Sequence, residues 1–166
     1  MSARHPIIAV TGSSGAGTTT VKTTFEWIFR REKIDAAIVE GDAFHRYDRV
    51  EMRGKMKEAE AAGNKNFSHF GPDSNRFVDL QELFKSYSLG GKGKSRRYIH
   101  DADEAQKYGG SPGTFTDWED IGEGSDMLFY EGLHGAVQTA EHNVAKYPDL
   151  LIGVVPIINL EWIQKL

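Results

Sequence analysis

Three short stretches of this chain carry residue types suited to handling phosphate. The first is Gly12-Ser13-Ser14-Gly15-Ala16-Gly17-Thr18-Thr19-Thr20, which follows an apolar run and precedes a helical pattern. Against the phosphate-loop pattern G-x-x-x-x-G-K-[ST], Gly12 and Gly17 match and Thr19 fills the hydroxyl position, but Thr18 stands where lysine belongs. Glycines let consecutive backbone N–H groups curl round phosphate oxygens, and the helix N-terminus adds partial positive charge. The Thr19 hydroxyl is placed to ligate Mg²⁺. Missing is the ammonium that reaches the terminal phosphates, so a cation must come from elsewhere. The competing reading is a glycine-rich strand-to-helix turn that binds nothing.

The second stretch holds Asp42, His45, Arg49 and Arg53, spaced three, four and four apart. A continuous helix here would put all four on one face, in a stripe about 16 Å long at about 1.5 Å per residue. One carboxylate followed by three cationic groups suits a hydroxyl to be deprotonated beside a phosphate to be held. A solvated stripe of paired surface charges fits the same spacing. The third is Tyr130-Glu131-Gly132-Leu133-His134, with an acid at the tip of an apolar run. Such a carboxylate holds Mg²⁺ in nucleotide-binding α/β domains, or else caps a neighbouring helix. His100 follows Arg96 and Arg97 and suits either substrate binding or an internal hydrogen bond. His69 and His134 read as structural groups. No histidine pair has zinc spacing, and Gly12-Ser13-Ser14-Gly15 is not the G-x-S-x-G nucleophile elbow.

The elements around these residues point to an α/β fold. Pro6–Thr11, Ala36–Glu40, Met127–Gly132 and Leu150–Val155 are short apolar runs that read as buried strands. Val21, Phe25, Ile28 and Phe29 recur at helical spacing and predict a helix packed on a sheet. Asp48–Ala62 and Asn75–Ser88 predict two further helices, and Asn159 onward the start of another. Gly90–Lys94 reads as a flexible loop. Arg96–His100 and Thr114–Trp118 read as short strands of a hairpin-like excursion. Strands alternating with helices predict three layers, a mostly parallel sheet flanked by helices.

Composition narrows the partners. The 166 residues carry a net charge of -4 and 39% hydrophobic residues, which fits one globular domain and argues against general nucleic-acid binding. The charge is uneven: residues 44–107 hold 13 Lys+Arg against 10 Asp+Glu, so a basic segment sits in an acidic chain. Cysteine is absent, which excludes a disulfide scaffold, a thiolate metal site and a cysteine nucleophile. No run approaches the roughly 18 apolar residues of a membrane span, and a cytoplasmic protein is expected. Glycine is enriched, 18 of 166, partly in the phosphate loop and in the turns at Gly41 and Gly132.

From His5 to Leu166 the chain resembles the phosphoribulokinases of the bacterial type, within the P-loop kinases that include uridine kinase. The resemblance rests on the lysine-free loop Gly12–Thr20, on Glu40-Gly41-Asp42-Ala43-Phe44-His45-Arg46, and on Phe67-Ser68-His69-Phe70. Tyr98-Ile99-His100-Asp101, Phe115-Thr116-Asp117-Trp118, Phe129–Ala136 and Val154–Lys165 extend it. It implies a P-loop kinase fold and transfer of the ATP γ-phosphate to the 1-hydroxyl of ribulose 5-phosphate. The product, ribulose 1,5-bisphosphate, is the carbon dioxide acceptor of the Calvin cycle. By resemblance Asp42 is the general base and Glu131, with Thr19, the magnesium site. His45, Arg49, Arg53 and His100 contact the sugar phosphate, and Lys165 is a catalytic lysine able to replace the cation missing at Thr18. Arg31 matches an arginine tied to regulation by NADH and AMP, and a homo-oligomer is implied. Position 53 is usually lysine in these relatives; Arg53 keeps the charge but grips phosphate with a planar group.

The chain stops at Leu166, where these relatives continue with His-Arg-Asp and a large C-terminal part. We therefore expect residues 1–166 to be an incomplete P-loop kinase domain, with a basic insertion at about 44–107 for the sugar phosphate. Alone it is expected to be weakly active or inactive, and poorly stable. Two other functions fit the same residues: a uridine kinase-like phosphotransferase, and a nucleotide-binding module without turnover.

Overall fold

The computed structural model of the chain describes residues 4–156. Strand β1 (Ile7–Gly12) turns its side chains alternately to two apolar layers, Ile7 and Ala9 to one and Ile8 and Val10 to the other. A strand covered on both faces has no polar side, which is why it reads as an unbroken apolar run. Helix α1 (Thr18–Glu32) lays Val21, Phe25 and Phe29 on the second layer, and Lys33, in a left-handed conformation, ends it. Ile28 lies at the margin of that face and is exposed. Strand β2 (Ala36–Glu40) follows, then a single 3-10 turn, Gly41–Phe44.

Helix α2 (Arg49–Ala61) opens with a capping box. Asp48 accepts from the Val50 and Glu51 amides at 2.8 Å, and Glu51 accepts from the Asp48 amide at 3.0 Å. Helix α3 (Phe77–Gly90) buries Leu80, Leu83, Phe84 and Tyr87 against the first apolar layer, opposite α1. The sheet is thus held between α1 and α3, the three layers expected. Strand β3 (Gly93–Ser95), helix α4 (Ala102–Tyr108) and strand β4 (Glu119–Ile121) form the excursion, and β5 (Met127–Gly132) and β6 (Leu150–Val154) complete the sheet.

The main sheet has the order β2-β5-β1-β6 and every pairing is parallel. Its carboxyl ends lie side by side, with Glu40 opposite Glu131 and Thr11 opposite Gly132. Three expectations need correction. The excursion is antiparallel, but its paired strands are Gly93–Ser95 and Glu119–Ile121; the predicted Arg96–His100 and Thr114–Trp118 form no strands and pair through the single Tyr98–Phe115 bridge. Gly90–Lys94 is not a loop throughout, because α3 runs to Gly90, Gly91 caps it and β3 starts at Gly93. The polar link between the predicted strands holds α4, whose N-terminus is capped by Asp101 accepting from the Glu104 amide. The helix expected from Asn159 lies outside the described residues.

Candidate functional site

A cavity of about 530 Å³ opens beyond the carboxyl ends of β1, β2 and β5. In an open parallel sheet that edge is where ligands bind. Gly12, Ser13, Ser14, Gly15, Thr18 and Thr19 form one wall. The loop enters α1 through Gly17 at φ 94°, a left-handed conformation that a side chain would strain. No side chain caps the helix and its first turn holds no acid, so its N-terminus, at the cavity wall, carries no internal anion. Glu131 at the end of β5 and Glu40 at the end of β2 form the floor, with Lys22 of α1 bonded to Glu40. Burial works against the Lys22 charge, but the bond to Glu40 and the nearby Glu26 and Glu131 outweigh it and raise the pKa.

The opposite wall is built around Asp42, carried by the 3-10 turn after β2. Its carboxylate lies 3.1 Å from His100 Nε2 and 3.3 Å from His45 Nε2. Those two imidazoles hold the Asp42 carboxyl well below the usual carboxylate range, against burial. The same bond raises the His100 pKa to about 9, with Glu104 adding a second partner 3.0 Å from Nδ1. His45 is fixed from behind by Asn75, whose Oδ1 lies 2.8 Å from Nδ1. Asn75 is itself oriented by donating to the His69 and Gly71 carbonyls. His69 stacks on His45 with ring centres 4.6 Å apart, and burial together with His45 lowers its pKa. His134 donates to the Phe70 carbonyl at 3.1 Å, and burial lowers its pKa.

Arg96 sets the position of this wall from outside. Its guanidinium lies 3.6 Å from the Phe115 ring centre and 4.9 Å from that of Trp118. It donates to the backbone carbonyls of Ala43 at 2.9 Å and His45 at 2.7 Å, clamping the turn that carries Asp42. Sequence reading passed over Arg96, Glu104 and Lys22, since none falls in a motif. The alternation of Arg96 with Phe115 and Trp118 across the excursion was the available signal for the first.

The model of the phosphoribulokinase / uridine kinase family matches residues 7–166. The chain belongs to that family. It is 63% identical to the plasmid phosphoribulokinase of Cupriavidus necator and 65% identical to the phosphoribulokinase of Xanthobacter flavus, over 166 residues in each case. Each alignment covers all of this chain and 57% of the relative, so the chain spans little more than half the length of these curated relatives. The solved phosphoribulokinase from Rhodobacter spheroides superposes with a TM-score of 0.86 at 51% identity, over 98% of this chain and 55% of that one. A possible uridine kinase from Bacillus stearothermophilus shares the fold at a TM-score of 0.63 and 15% identity, over 99% of this chain and 78% of that one.

Within this family member, the structure brings Gly12–Gly15, Thr18, Thr19, Asp42, His45, His100 and Glu131 to one cavity. Ala16, Gly17 and Thr20 belong to the loop but do not line it. The predicted helical stripe breaks. Asp42 lies in a 3-10 turn, His45 is extended and α2 starts only at Arg49, so the four residues share no helix face. Arg49 instead donates to the His100 carbonyl at 3.0 Å. Arg53 is exposed on α2 outside the cavity. Arg31 is exposed on α1 and bonded to Glu32. Lys165 lies outside the described residues. Among the described residues no helix is long and apolar enough to cross a membrane.

The Asp42–His100 pair makes stability depend on pH with a definite sign. His100 titrates near 9 folded against an ordinary 6.5, so its contribution is complete below about pH 6.5 and lost as pH rises through 9. Asp42 is depressed, so its contribution is present above its ordinary 3.8 and lost as pH falls below that. The gap in urea midpoint between wild type and His100→Ala should therefore be widest between about pH 4 and 6.5 and narrow by pH 9.5. A gap that stays constant from pH 6 to 9.5 would contradict the pairing.

Proposed function

We propose that the protein is a phosphoribulokinase, transferring the γ-phosphate of ATP to the 1-hydroxyl of ribulose 5-phosphate. The observation that carries this is the shared cavity, in which the glycine loop and Glu131 face Asp42 held between His45 and His100. The homology to named phosphoribulokinases over the whole chain favours this substrate over uridine.

The loop amides and the N-terminus of α1 suit the polyphosphate. The Thr19 hydroxyl and the Glu131 carboxylate fit Mg²⁺, which takes one or two carboxylates together with substrate phosphates. When bound, Mg²⁺ would neutralise charge on the transferring group. His45 and His100, with Arg49 behind His100, suit the sugar phosphate, so the basic segment 44–107 contributes to acceptor binding.

Asp42 is ionised across the working pH range and accepts the hydrogen of the 1-hydroxyl. As the hydroxyl oxygen bonds to the γ-phosphorus, the bond from that phosphorus to the ADP oxygen breaks and the hydroxyl proton passes to Asp42. Little proton removal is needed early in phosphoryl transfer, so orientation by Asp42 matters as much as basicity. By the same resemblance we propose a cytoplasmic homo-oligomer that responds to NADH and AMP, with Arg31 at the effector contact.

The test supplies the full gene product with ATP and either ribulose 5-phosphate or uridine, and follows ADP release. ADP should form with ribulose 5-phosphate, with the new phosphate on the 1-hydroxyl, and not with uridine. Preference for uridine would reassign the acceptor, and nucleotide binding without turnover on either would leave a binding module.

A further inference from the structure

We propose that Lys22 supplies the ammonium that Thr18 lacks, leaving Glu40 to grip the terminal phosphates of the bound nucleotide. This rests on the nucleotide-binding reading of the cavity and adds a residue to it. Among the described residues, Lys22 is the only lysine or arginine that lines the cavity. It shares that lining with four carboxylates, Glu40, Asp42, Glu104 and Glu131. A polyanion cannot enter such a site without cations, and Lys22 is a permanent one already inside.

The position on α1 explains the reach. Lys22 is four residues beyond Thr18 and so lies on the same helix face, about 6 Å further along the axis. Helical side chains tilt toward the N-terminus, so a lysine stem from that turn points back to the glycine loop. The family pattern seeks this ammonium beside the hydroxyl residue; here one turn of helix and an extended stem replace adjacency.

The contact with Glu40 looks at first like a strut between α1 and β2. That docking is already made by Val21, Phe25 and Phe29 against the apolar layer. An ion pair withdrawn from water adds little net stability of its own. The strand register gives the pair another role. Glu40 and Glu131 are direct partners on adjacent strands, so their charges lie side by side at the sheet edge. Lys22 bonds one and is attracted by the other, which holds the ammonium in the cavity, on a side chain only 18% exposed, before any ligand arrives. A triphosphate offers several charged oxygens in place of one carboxylate oxygen. The exchange frees Glu40 and Glu131 to face the divalent cation that accompanies the nucleotide.

The test is calorimetric ATP binding to the full gene product, run with Mg²⁺ and again with EDTA, alongside thermal unfolding. Lys22→Met should weaken ATP at least tenfold in both conditions, and Lys22→Arg should recover most of that loss. Glu40→Gln in EDTA should bind ATP as well as wild type or better, because the competing carboxylate is gone. ATP binding by Lys22→Met within twofold of wild type overturns the proposal. So does a loss of ATP affinity in Glu40→Gln with EDTA, which would make the pair a strut; this variant decides even if Lys22→Met does not fold. A wild-type protein that binds no ATP overturns the nucleotide reading itself.

Discussion

Asp42→Asn should lower phosphoryl transfer to ribulose 5-phosphate by about 10²–10⁴-fold and leave ATP affinity within about twofold. The substitution keeps the shape of the side chain and one acceptor oxygen, but removes the charge and the ability to take a proton. Asp42 lies across the cavity from the glycine loop, bonded to His45 and His100, so the nucleotide wall is untouched. The histidines feel the change. His100 owes its raised pKa first to Asp42, with Glu104 adding to it, so with asparagine at 42 it should titrate closer to its ordinary value. A pH–rate profile of the variant should then lose activity at lower pH than wild type, through weaker binding of the sugar phosphate. Steady-state kinetics separate the parts, a fall in kcat reporting the lost acceptor and a rise in KM for the sugar reporting the loosened histidines. Unchanged kcat would remove Asp42 from the reaction and leave it as a charge that orders two imidazoles.

The parts of this site that could be read from sequence are those carried by short continuous segments. β1, β2 and β5 are apolar up to their carboxyl ends because both faces are covered, and the candidate site residues lie at or just beyond those ends. Glu131 and the loop Gly12–Thr20 are therefore legible as candidates by position alone. The spacing that predicts one helix face for Asp42, His45, Arg49 and Arg53 fails, because α2 begins only at Arg49 and leaves Asp42 and His45 outside it. The chain there needs an extended His45, bridged to Asn75, to turn from the sheet towards α2. No local pattern shows that long-range bridge. Glu104 was invisible for a similar reason. It reaches His100 because α4 folds back beside it, and a seven-residue helix is too short to announce itself by periodicity. Lys22 reads as an ordinary helix surface residue until the register of β2 on β5 shows two carboxylates beneath it.

Gly132→Ala should destabilise the protein by about 1–3 kcal/mol and reduce activity along with stability, while Gly54→Ala should stabilise it by about 0.5–1 kcal/mol. The opposite signs follow from what a new Cβ would meet. At Gly132 it would lie 2.7 Å from Gly41 Cα, 3.0 Å from the Gly41 amide nitrogen and 2.8 Å from the Tyr130 hydroxyl. Two of these neighbours are backbone, on the strand-end turn that carries Asp42, and cannot swing aside as a flexible side chain does. Tyr130 is fully buried and hemmed by Phe84 at 5.3 Å between ring centres, so it has nowhere to yield. The ends of β2 and β5 must therefore part, and that separation carries Asp42 away from Glu131, the two carboxylates proposed for proton acceptance and metal binding. Gly41→Ala meets the same barrier from the other side, 2.5 Å from the Tyr130 hydroxyl and 2.9 Å from Gly132 Cα. At Gly54, in the middle of α2, a Cβ meets nothing within 4 Å, so only the helix-favouring effect of alanine is left. Urea midpoints of the three variants measure the stabilities, and the ratio of activity to folded fraction measures the displacement of Asp42. A Gly132→Ala protein with wild-type midpoint and wild-type activity would mean that the two strand ends do not meet as described.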